Sequence, residues 1–199
     1  MVGDARLYDT IQVLAGAGEV RRRIEACLPR LVTARALVVD VGAGTGTLRR
    51  ILPTSVVHIC LDLDPAKLRR AILKDPAANA LLADATKAPL ASGCADAVVC
   101  VAVSHHLTDQ QLDRALDEIG RLLKDEGIFL FLDAIWMPKR LLSRMLWRFD
   151  RGSNPRGPEL LLAQLTRRFS TTHCERFGIY HEYLLYVGNK KRAGTKPDA

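Results

Sequence analysis

The stretch Val38-Val39-Asp40-Val41-Gly42-Ala43-Gly44-Thr45-Gly46 decides the fold of this chain. Its first half is rich in valine, which is typical of a strand buried on both faces of a sheet. The three alternating glycines predict a tight loop, because glycine lacks a Cβ and lets a ligand lie directly on the backbone. Residues 46–52 are predicted to form a helix. A strand, a glycine loop and a helix in this order are typical of a nucleotide-binding α/β sheet.

Further along the chain, strand-like and helix-like segments alternate. Asp64 and Pro65 suit the N-cap and first turn of one helix, and Thr108 to Gln111 has the form of a capping box before another. This alternation predicts an α/β fold with a doubly wound parallel sheet and right-handed crossovers. The predicted parallel strands lie at about 36–40, 56–61, 80–83, 97–101 and 128–132.

Polar or glycine residues follow each of these strands. Parallel strands present their carboxyl ends at one edge of the sheet, and ligands of open α/β sheets bind outside that edge. A single aspartate after a strand is usually a cap or turn residue. Several in succession predict a pocket, and these positions are Asp40 with Gly42, Asp62, Asp84, Ser104 and Asp133.

The remaining segments are predicted to belong to the same domain, which spans 1–188. Residues 1–34 read as a helical cover on the sheet, and residues 136–168 read as a basic helical insert. Two strand-like runs follow at 169–177 and 180–187, and the polar tail 189–199 is predicted to be disordered. No internal repeat and no second domain is recognisable.

Composition narrows the class of protein. The chain has 199 residues, of which 48% are hydrophobic and 26% charged, as expected for one globular domain. No apolar run approaches the roughly 18 residues that span a bilayer, and we recognise no signal peptide. The five cysteines have no pairing or metal-ligand spacing, which indicates reduced thiols, no metal site and a cytoplasmic location. The net charge of +7 permits an anionic partner.

The spacing of the glycine loop separates two kinds of ligand. The loop reads D-x-G-x-G-x-G, whereas the dinucleotide fingerprint reads G-x-G-x-x-G, so a nicotinamide oxidoreductase is disfavoured. Asp40 suits a cationic group better than a phosphate. Asp62 lies about 20 residues further on, where a carboxylate accepts both ribose hydroxyls, and Asp84 can accept from an adenine amine. Together these residues predict an adenosine with a positive, phosphate-free substituent, which S-adenosylmethionine fits.

With these residues in place, the sequence resembles the class I S-adenosylmethionine-dependent methyltransferases, and among them the type-11 group that includes quinone-biosynthesis enzymes. Five blocks in the right order carry the resemblance: residues 39–46, 61–65, 84–90, 95–107 and 119–127. Two departures occur. Asp125-Glu126 stands where the family commonly has proline-glycine, and Ala95 replaces a common aromatic residue. Neither departure affects an expected cofactor contact.

The resemblance implies a fold, a cofactor and a set of contacts. The fold is Rossmann-like, with a seven-stranded, mostly parallel sheet that ends in an antiparallel hairpin. The cofactor is S-adenosyl-L-methionine, and the product is S-adenosyl-L-homocysteine. The implied cofactor-binding residues are Asp40, Gly42, Ala43, Gly44, Gly46, Asp62, Leu63, Asp84, Ala85 and Val101.

Methyl transfer leaves a thin signature in sequence, because positioning supplies most of the acceleration. A base is needed only where the acceptor must lose a proton. His105 and His106 follow the fourth strand and are the candidate bases, although a structural role is open for both. His181 is expected to be a core or edge residue. Asp133, Tyr8 and Trp136 are the predicted residues of the acceptor pocket.

The acceptor is expected beneath residues 136–160 and the N-terminal helix. The arginines of this region suit a solvated helix face, an acceptor carboxylate or phosphate, or a membrane surface reached with Trp136 and Trp147. Nucleic acid is disfavoured, because basic and aromatic residues do not interleave as in RNA-reading domains. We therefore predict a methyltransferase with a small-molecule acceptor. The alternatives are a lipid-like or quinone-like acceptor at a membrane, and a non-catalytic cofactor-binding module. The oligomeric state stays open.

Overall fold

The computed structural model describes residues 17–138, 147, 154–179 and 181–191. Tyr8 lies outside these residues, and so do residues 139–146 and 148–153 of the predicted basic insert. The described part of the chain forms one seven-stranded sheet in the order β3-β2-β1-β4-β5-β7-β6. Its strands are β1 Leu37–Val41, β2 Val57–Asp62, β3 Asn79–Leu82, β4 Ala95–Val101, β5 Leu123–Ile135, β6 Phe169–Gly178 and β7 Glu182–Lys190.

The first five strands pair in parallel, and β7 pairs antiparallel with both β5 and β6. The chain moves outward from β1 to β2 and β3 on one side, and from β4 to β5 on the other. The sheet therefore has its topological switch point between β1 and β4, where open α/β sheets bind ligands. The predicted fold class and its C-terminal hairpin are confirmed.

Four helices cover the sheet in the described part of the chain: α1 Ala17–Leu31, α2 Pro65–Lys74, α3 Asp109–Leu122 and α4 Pro158–Arg168. Helices α3 and α4 pack on one face, with Leu116 and Leu165 in the same apolar cluster as Phe129. Helix α1 covers the other face through Ile24 and Leu28. Burial on both faces explains the long apolar runs in the central strands.

Local sequence explains where two of these helices begin. The Asp64 carboxylate accepts from the backbone N–H of Ala66 and Lys67, and Pro65 occupies the first turn of α2. The Thr108 side chain accepts from the Gln111 backbone N–H, and the Gln111 side chain accepts from the Thr108 backbone, so the capping box is complete. Both predicted helix starts are confirmed.

Three predicted boundaries are wrong. The glycine loop leads into a single 3-10 turn, Thr47–Arg50, and not into a helix over 46–52. Only six residues separate Gly46 from Pro53, and a proline disfavours helical backbone in the residue before it. Strand β5 begins at Leu123 and not near residue 128. Strand β7 extends through Asn189 and Lys190, which were assigned to the tail, because both residues continue its ladder with β6.

Candidate functional site

The glycine loop lies at the carboxyl end of β1, at the switch point of the sheet. Gly42, Gly44 and Gly46 all have positive φ, between 56° and 72°. A Cβ on Gly42 would lie 2.3 Å from a methyl group of Val103, so the loop packs directly against the segment after β4. A Cβ on Gly44 would meet nothing closer than 4.0 Å. The backbone at Gly44 therefore faces open space in which a ligand can approach it.

Asp62 holds this loop to the end of β2. One carboxylate oxygen accepts from the Gly44 backbone N–H at 2.8 Å, and the other accepts from the Asp64 N–H at 2.9 Å. The side chain is largely buried beneath the loop. Each carboxylate oxygen has two acceptor sites, so both retain capacity for a ligand hydroxyl. The structure brings Asp62 and Gly44 together at the edge of the sheet where the sequence predicted a pocket.

An exposed edge lies beside Asp62. The Ala83 N–H donates to the Asp62 carbonyl at 3.1 Å, which places Asp84 next to the end of β2. Asp84 is exposed, and its Oδ1 accepts from the Thr86 backbone and hydroxyl, both at 2.8 Å. The Leu63 side chain is 69% exposed. An exposed leucine beside two carboxylates offers an apolar surface with polar acceptors at its rim.

The other residues implied for cofactor binding have different surroundings. Ala43 is buried with Cys60 and Leu68 in a small cluster beneath α2, so its side chain packs inside the protein. Ala85 and Val101 are half-buried against the two main apolar clusters.

Asp40 is buried at the end of β1 and contacts His58 inside the protein. Its carboxylate is buried and lies 3.3 Å from His58 Nε2, and the His58 ring adjoins the Cys60 thiol. Burial raises the pKa of the Asp40 carboxyl, although His58 opposes the shift. Burial, with the nearby charge of Asp40, also raises the pKa of the Cys60 thiol to about 12. The side-chain alternation of β1 brings Asp40 to His58, and the predicted contact between Asp40 and a cationic ligand group stays a prediction.

His105 and Asp133 form a buried pair at the ends of β4 and β5. The His105 ring Nδ1 donates to Asp133 Oδ1 at 2.6 Å, and the Ser104 hydroxyl donates to Asp133 Oδ2 at 2.6 Å. The backbone N–H groups of Ala134 and His105 donate to the same carboxylate at 2.8 and 3.3 Å. Asp133 is fully buried and His105 is 7% exposed.

These contacts determine the charge and orientation of the pair. Burial by itself raises the pKa of the Asp133 carboxyl, but the hydrogen bond and charge of His105 and the donors of Ser104 and Ala134 lower it overall. An ionised Asp133 accepts the Nδ1 proton, so the ring nitrogen that can take up a further proton is Nε2. The arrangement resembles the base and its orienting carboxylate in nucleophilic enzymes.

The turn that carries His105 is held from outside by a short strap, residues 154–156. Arg156 is buried, and its guanidinium donates to the carbonyls of Ser104 and Leu107 at 2.7 and 2.6 Å and to Asp109 at 2.7 Å. The Asn154 N–H donates to the His105 carbonyl at 3.0 Å. Ala102, just before this turn, has φ +56°, a strained backbone for a residue with a Cβ. Sequence reasoning missed this role of Arg156, because nothing in its local sequence distinguishes it from neighbouring arginines.

Arg156 belongs to residues 136–160, whose arginines were expected to suit several partners, an anionic acceptor among them, and Arg167 and Arg168 follow on α4. Arg156 holds the turn, and Arg167 and Arg168 pair with Asp113 and Asp117 of α3. These three arginines therefore join parts of the protein to one another. The remaining basic residues of the insert, Lys139, Arg140, Arg144, Arg148 and Arg151, lie outside the described residues.

Aromatic rings surround the outer side of His105. Trp147 lies edge-on to His105 and to His181, with ring centroids 5.7 and 5.2 Å apart. The half-buried Trp136 lies 6.4 Å from Trp147. His106 is exposed, and its ring lies 4.1 Å from that of His105. The structure thus places the candidate base and the predicted pocket residue Trp136 in one neighbourhood, and it adds Trp147 and His181.

Two further findings concern membrane-spanning helices and metal-ion sites. Within the described part of the chain, every helix is too short or too polar to span a bilayer. Among the same residues, no three His, Cys, Asp or Glu side chains lie close enough together to hold a metal ion.

Known proteins share this fold, and a family model matches part of the sequence. The fold is shared with geranyl diphosphate C-methyltransferase from Streptomyces coelicolor A3(2), whose structure contains S-adenosyl-L-homocysteine. The TM-score is 0.70 at 15% identity, over 86% of this chain and 80% of the other. Residues 39–131 match the family model Methyltransf_11, described as a methyltransferase domain. This match agrees with the resemblance seen in the sequence, and it covers just under half of the chain.

Two curated relatives share part of this domain. The malonyl-[acyl-carrier protein] O-methyltransferase of Geobacter sulfurreducens is 38% identical over 104 residues, which is 48% of this chain and 38% of that protein. The tRNA (carboxymethyluridine(34)-5-O)-methyltransferase of Arabidopsis thaliana is 29% identical over 134 residues, or 66% and 32% of the two chains. The matched part of this chain therefore spans about a third of the length of these two relatives.

Proposed function

We propose that this protein is an S-adenosylmethionine-dependent methyltransferase that methylates a hydroxyl oxygen of a small-molecule acceptor. The observation that carries the proposal is the position of the His105–Asp133 pair. The pair sits at the end of β4, next to the strand whose loop offers open backbone at Gly44. A candidate proton acceptor and an open stretch of backbone thus follow the two strands that flank the switch point of the sheet.

The residues around the loop fit the methyl donor. Asp62 offers acceptor capacity for the ribose hydroxyls while it holds the Gly44 backbone. The exposed Leu63 suits the flat face of an adenine, and Asp84 offers an acceptor for the adenine amine. When bound, S-adenosylmethionine supplies an activated methyl group on a sulfonium, whose loss leaves neutral S-adenosylhomocysteine.

The chain's own contribution is positioning and proton transfer. Asp133 holds the His105 ring in one orientation and keeps the Nδ1 proton in place. His105 Nε2 then takes the hydroxyl proton of the acceptor as the oxygen becomes nucleophilic. The strap at residues 154–156 keeps the turn in place and shields the pair from water. The two curated relatives are both O-methyltransferases by name, which favours an oxygen acceptor.

The alternatives that the sequence left open have weaker support. The intact Gly44–Asp62 contact and the ordered His105–Asp133 pair argue against a module that only binds the cofactor. The argument for a lipid-like or quinone-like acceptor depends on basic residues that lie outside the described part of the chain. The name of the Arabidopsis relative includes a tRNA, and a test of acceptors should therefore include RNA.

Isothermal titration calorimetry tests the cofactor assignment. We expect S-adenosylhomocysteine to bind and NAD to give no heat. Asp62→Ala should weaken S-adenosylhomocysteine binding by about 1–3 kcal/mol, because buried polar partners lose their acceptor. Asp64→Ala is the matched control: it removes a neighbouring carboxylate that caps α2, so it should lower helix stability but leave the affinity nearly unchanged. Binding of NAD with no response to S-adenosylhomocysteine would overturn the proposal.

A further inference from the structure

The indole N–H of Trp147 is buried without a hydrogen-bond acceptor. Trp147 is only 7% exposed. Its indole Nε1 is shielded from solvent and has no hydrogen-bond partner. Only one other side-chain atom among the described residues shares this property, Gln164 Oε1 on α4. Buried donors are almost always paired, because an unpaired one forfeits its bonds to water. An unpaired donor beside a candidate base therefore points to a ligand.

The neighbourhood of Trp147 belongs to the carboxyl edge of the sheet. His105 follows β4, Trp136 follows β5, and His181 and Tyr183 lie at the start of β7. Their rings adjoin one another: Trp147 with His105, Trp136 and His181, and His181 with Tyr183 at 6.3 Å. We call these five residues the aromatic cluster. Aromatic side chains favour contact with a flat, conjugated ligand.

The charges at the cluster select among flat ligands. An N–H donor attracts an oxygen lone pair and repels a cation, so an ammonium group is disfavoured even though aromatic rings attract cations elsewhere. Asp133 is ionised and buried beside His105, and a second anion here would add to a buried negative charge. The oxygen that faces Trp147 should therefore be uncharged.

We propose that Trp147 binds the acceptor: its buried indole N–H donates to an uncharged oxygen of a planar, conjugated acceptor that carries the reactive hydroxyl next to that oxygen. The proposal rests on the proposed function for the identity of the reaction, but the binding contact does not require methyl transfer. His105 accepts the proton of the hydroxyl, and Trp147 donates a hydrogen bond to the adjacent oxygen. Acceptors that lack the second oxygen lose the Trp147 contact.

Nuclear magnetic resonance of the indole groups tests the contact directly. The chain has two tryptophans, so protein labelled with ¹⁵N gives two indole signals. Trp147→Phe and Trp136→Phe each remove one signal and assign both. The probe is catechol, titrated with and without S-adenosylhomocysteine, and phenol, benzoate and tetramethylammonium serve as comparisons.

We expect catechol to move the Trp147 indole proton downfield and to bind about tenfold more tightly than phenol, the effect of one hydrogen bond to a buried donor. Trp147→Phe should raise the Kd for catechol by about tenfold, and Trp136→Phe, which removes a ring but not this donor, by clearly less. Since the wild-type signal itself reports the contact, the test stands even if Trp147→Phe folds poorly.

Three results would overturn the proposal. In the first, the Trp147 signal already has a hydrogen-bonded shift before any probe is added. In the second, catechol binds without moving that signal, or does not bind. In the third, benzoate or tetramethylammonium binds more tightly than catechol. Each of these outcomes leaves the proposed function intact as long as S-adenosylhomocysteine binds, so the two proposals fail separately.

Discussion

Replacement of Asp133 by asparagine should separate the role of its charge from the role of its shape. The carboxylate accepts four hydrogen bonds, from the Ser104 hydroxyl, the His105 ring, and the backbone N–H groups of His105 and Ala134. An amide has one accepting oxygen, and its NH₂ group must face donors on the other side. The Ser104 hydroxyl can rotate to accept, whereas a backbone N–H cannot.

The size of the effect follows from this count. One backbone donor is left unpaired in a fully buried place, at a cost of about 1–3 kcal/mol, and the remaining bonds lose their charged acceptor. We expect a total loss of about 2–4 kcal/mol in the free energy of unfolding. For a chain of this length, that loss lowers Tm by roughly 4–16 °C. The His105 ring also loses the negative charge of its acceptor, and kcat should fall by about 10²–10⁴.

The pH dependence provides a second readout. The folded pKa of Asp133 lies below its usual value, so its stabilising contribution is full above about pH 4 and is lost as pH falls through the folded pKa. The difference in Tm between wild type and Asp133→Asn should therefore be largest near neutral pH and shrink in acid. Thermal unfolding followed by circular dichroism at several pH values measures it.

Asp117→Asn is the control, because Asp117 is an exposed carboxylate that pairs with Arg168 on the surface. Its loss should cost less than about 1 kcal/mol, as is usual for exposed ion pairs. If Asp133→Asn lowers Tm no more than Asp117→Asn does and leaves kcat unchanged, the His105–Asp133 pair neither stabilises the fold nor takes part in catalysis. Retained activity in His105→Ala would likewise refute proton transfer to His105, and would favour an acceptor that is already a carboxylate.

Two further predictions concern the glycine loop and the strand beneath it. Gly44→Ala should weaken S-adenosylhomocysteine binding by at least tenfold in calorimetry, because the new Cβ enters the open space above the loop. Gly93 has a similar positive φ and nothing within 4 Å, so Gly93→Ala should share only the backbone strain of about 1–2 kcal/mol. Equal affinity in both variants would contradict the assignment of Gly44 to the cofactor site. Asp40→Asn should leave Tm unchanged or higher at pH 8. Burial raises the pKa of Asp40, so ionisation of this carboxyl destabilises the folded protein as pH rises above about 4. A decrease of more than about 1 kcal/mol in the free energy of unfolding at pH 8 would instead mean that ionised Asp40 forms a stabilising pair with His58.

Much of the fold could be predicted from local sequence. The valine run before Gly42 and the aspartates that end successive strands indicated the order and direction of the parallel strands. Thr108 and Asp64 predicted helix starts, because capping depends on residues a few positions apart. Pro53 carried the information that the segment after the glycine loop is too short for a helix, although the prediction there was wrong.

The candidate site was predictable only in part, for a physical reason. Gly44 and Asp62 followed from sequence, since a loop and a strand end have the same position in any parallel sheet of this kind. The ends of β4 and β5 likewise brought His105 and Asp133 to one edge. Whether their side chains touch depends on strand register, on the turn after Ala102 and on rotamers, which only packing determines.

What the sequence alone determined, therefore, is the sheet, its ligand edge and the class of cofactor that the edge suits. Only the tertiary structure decided how the individual side chains are used. It turned Asp40 inward to His58, committed Arg156 to the turn that carries His105, and buried the Trp147 indole N–H without a partner. Local pattern depends on neighbours along the chain, whereas burial and pairing depend on residues 18 to 52 positions away.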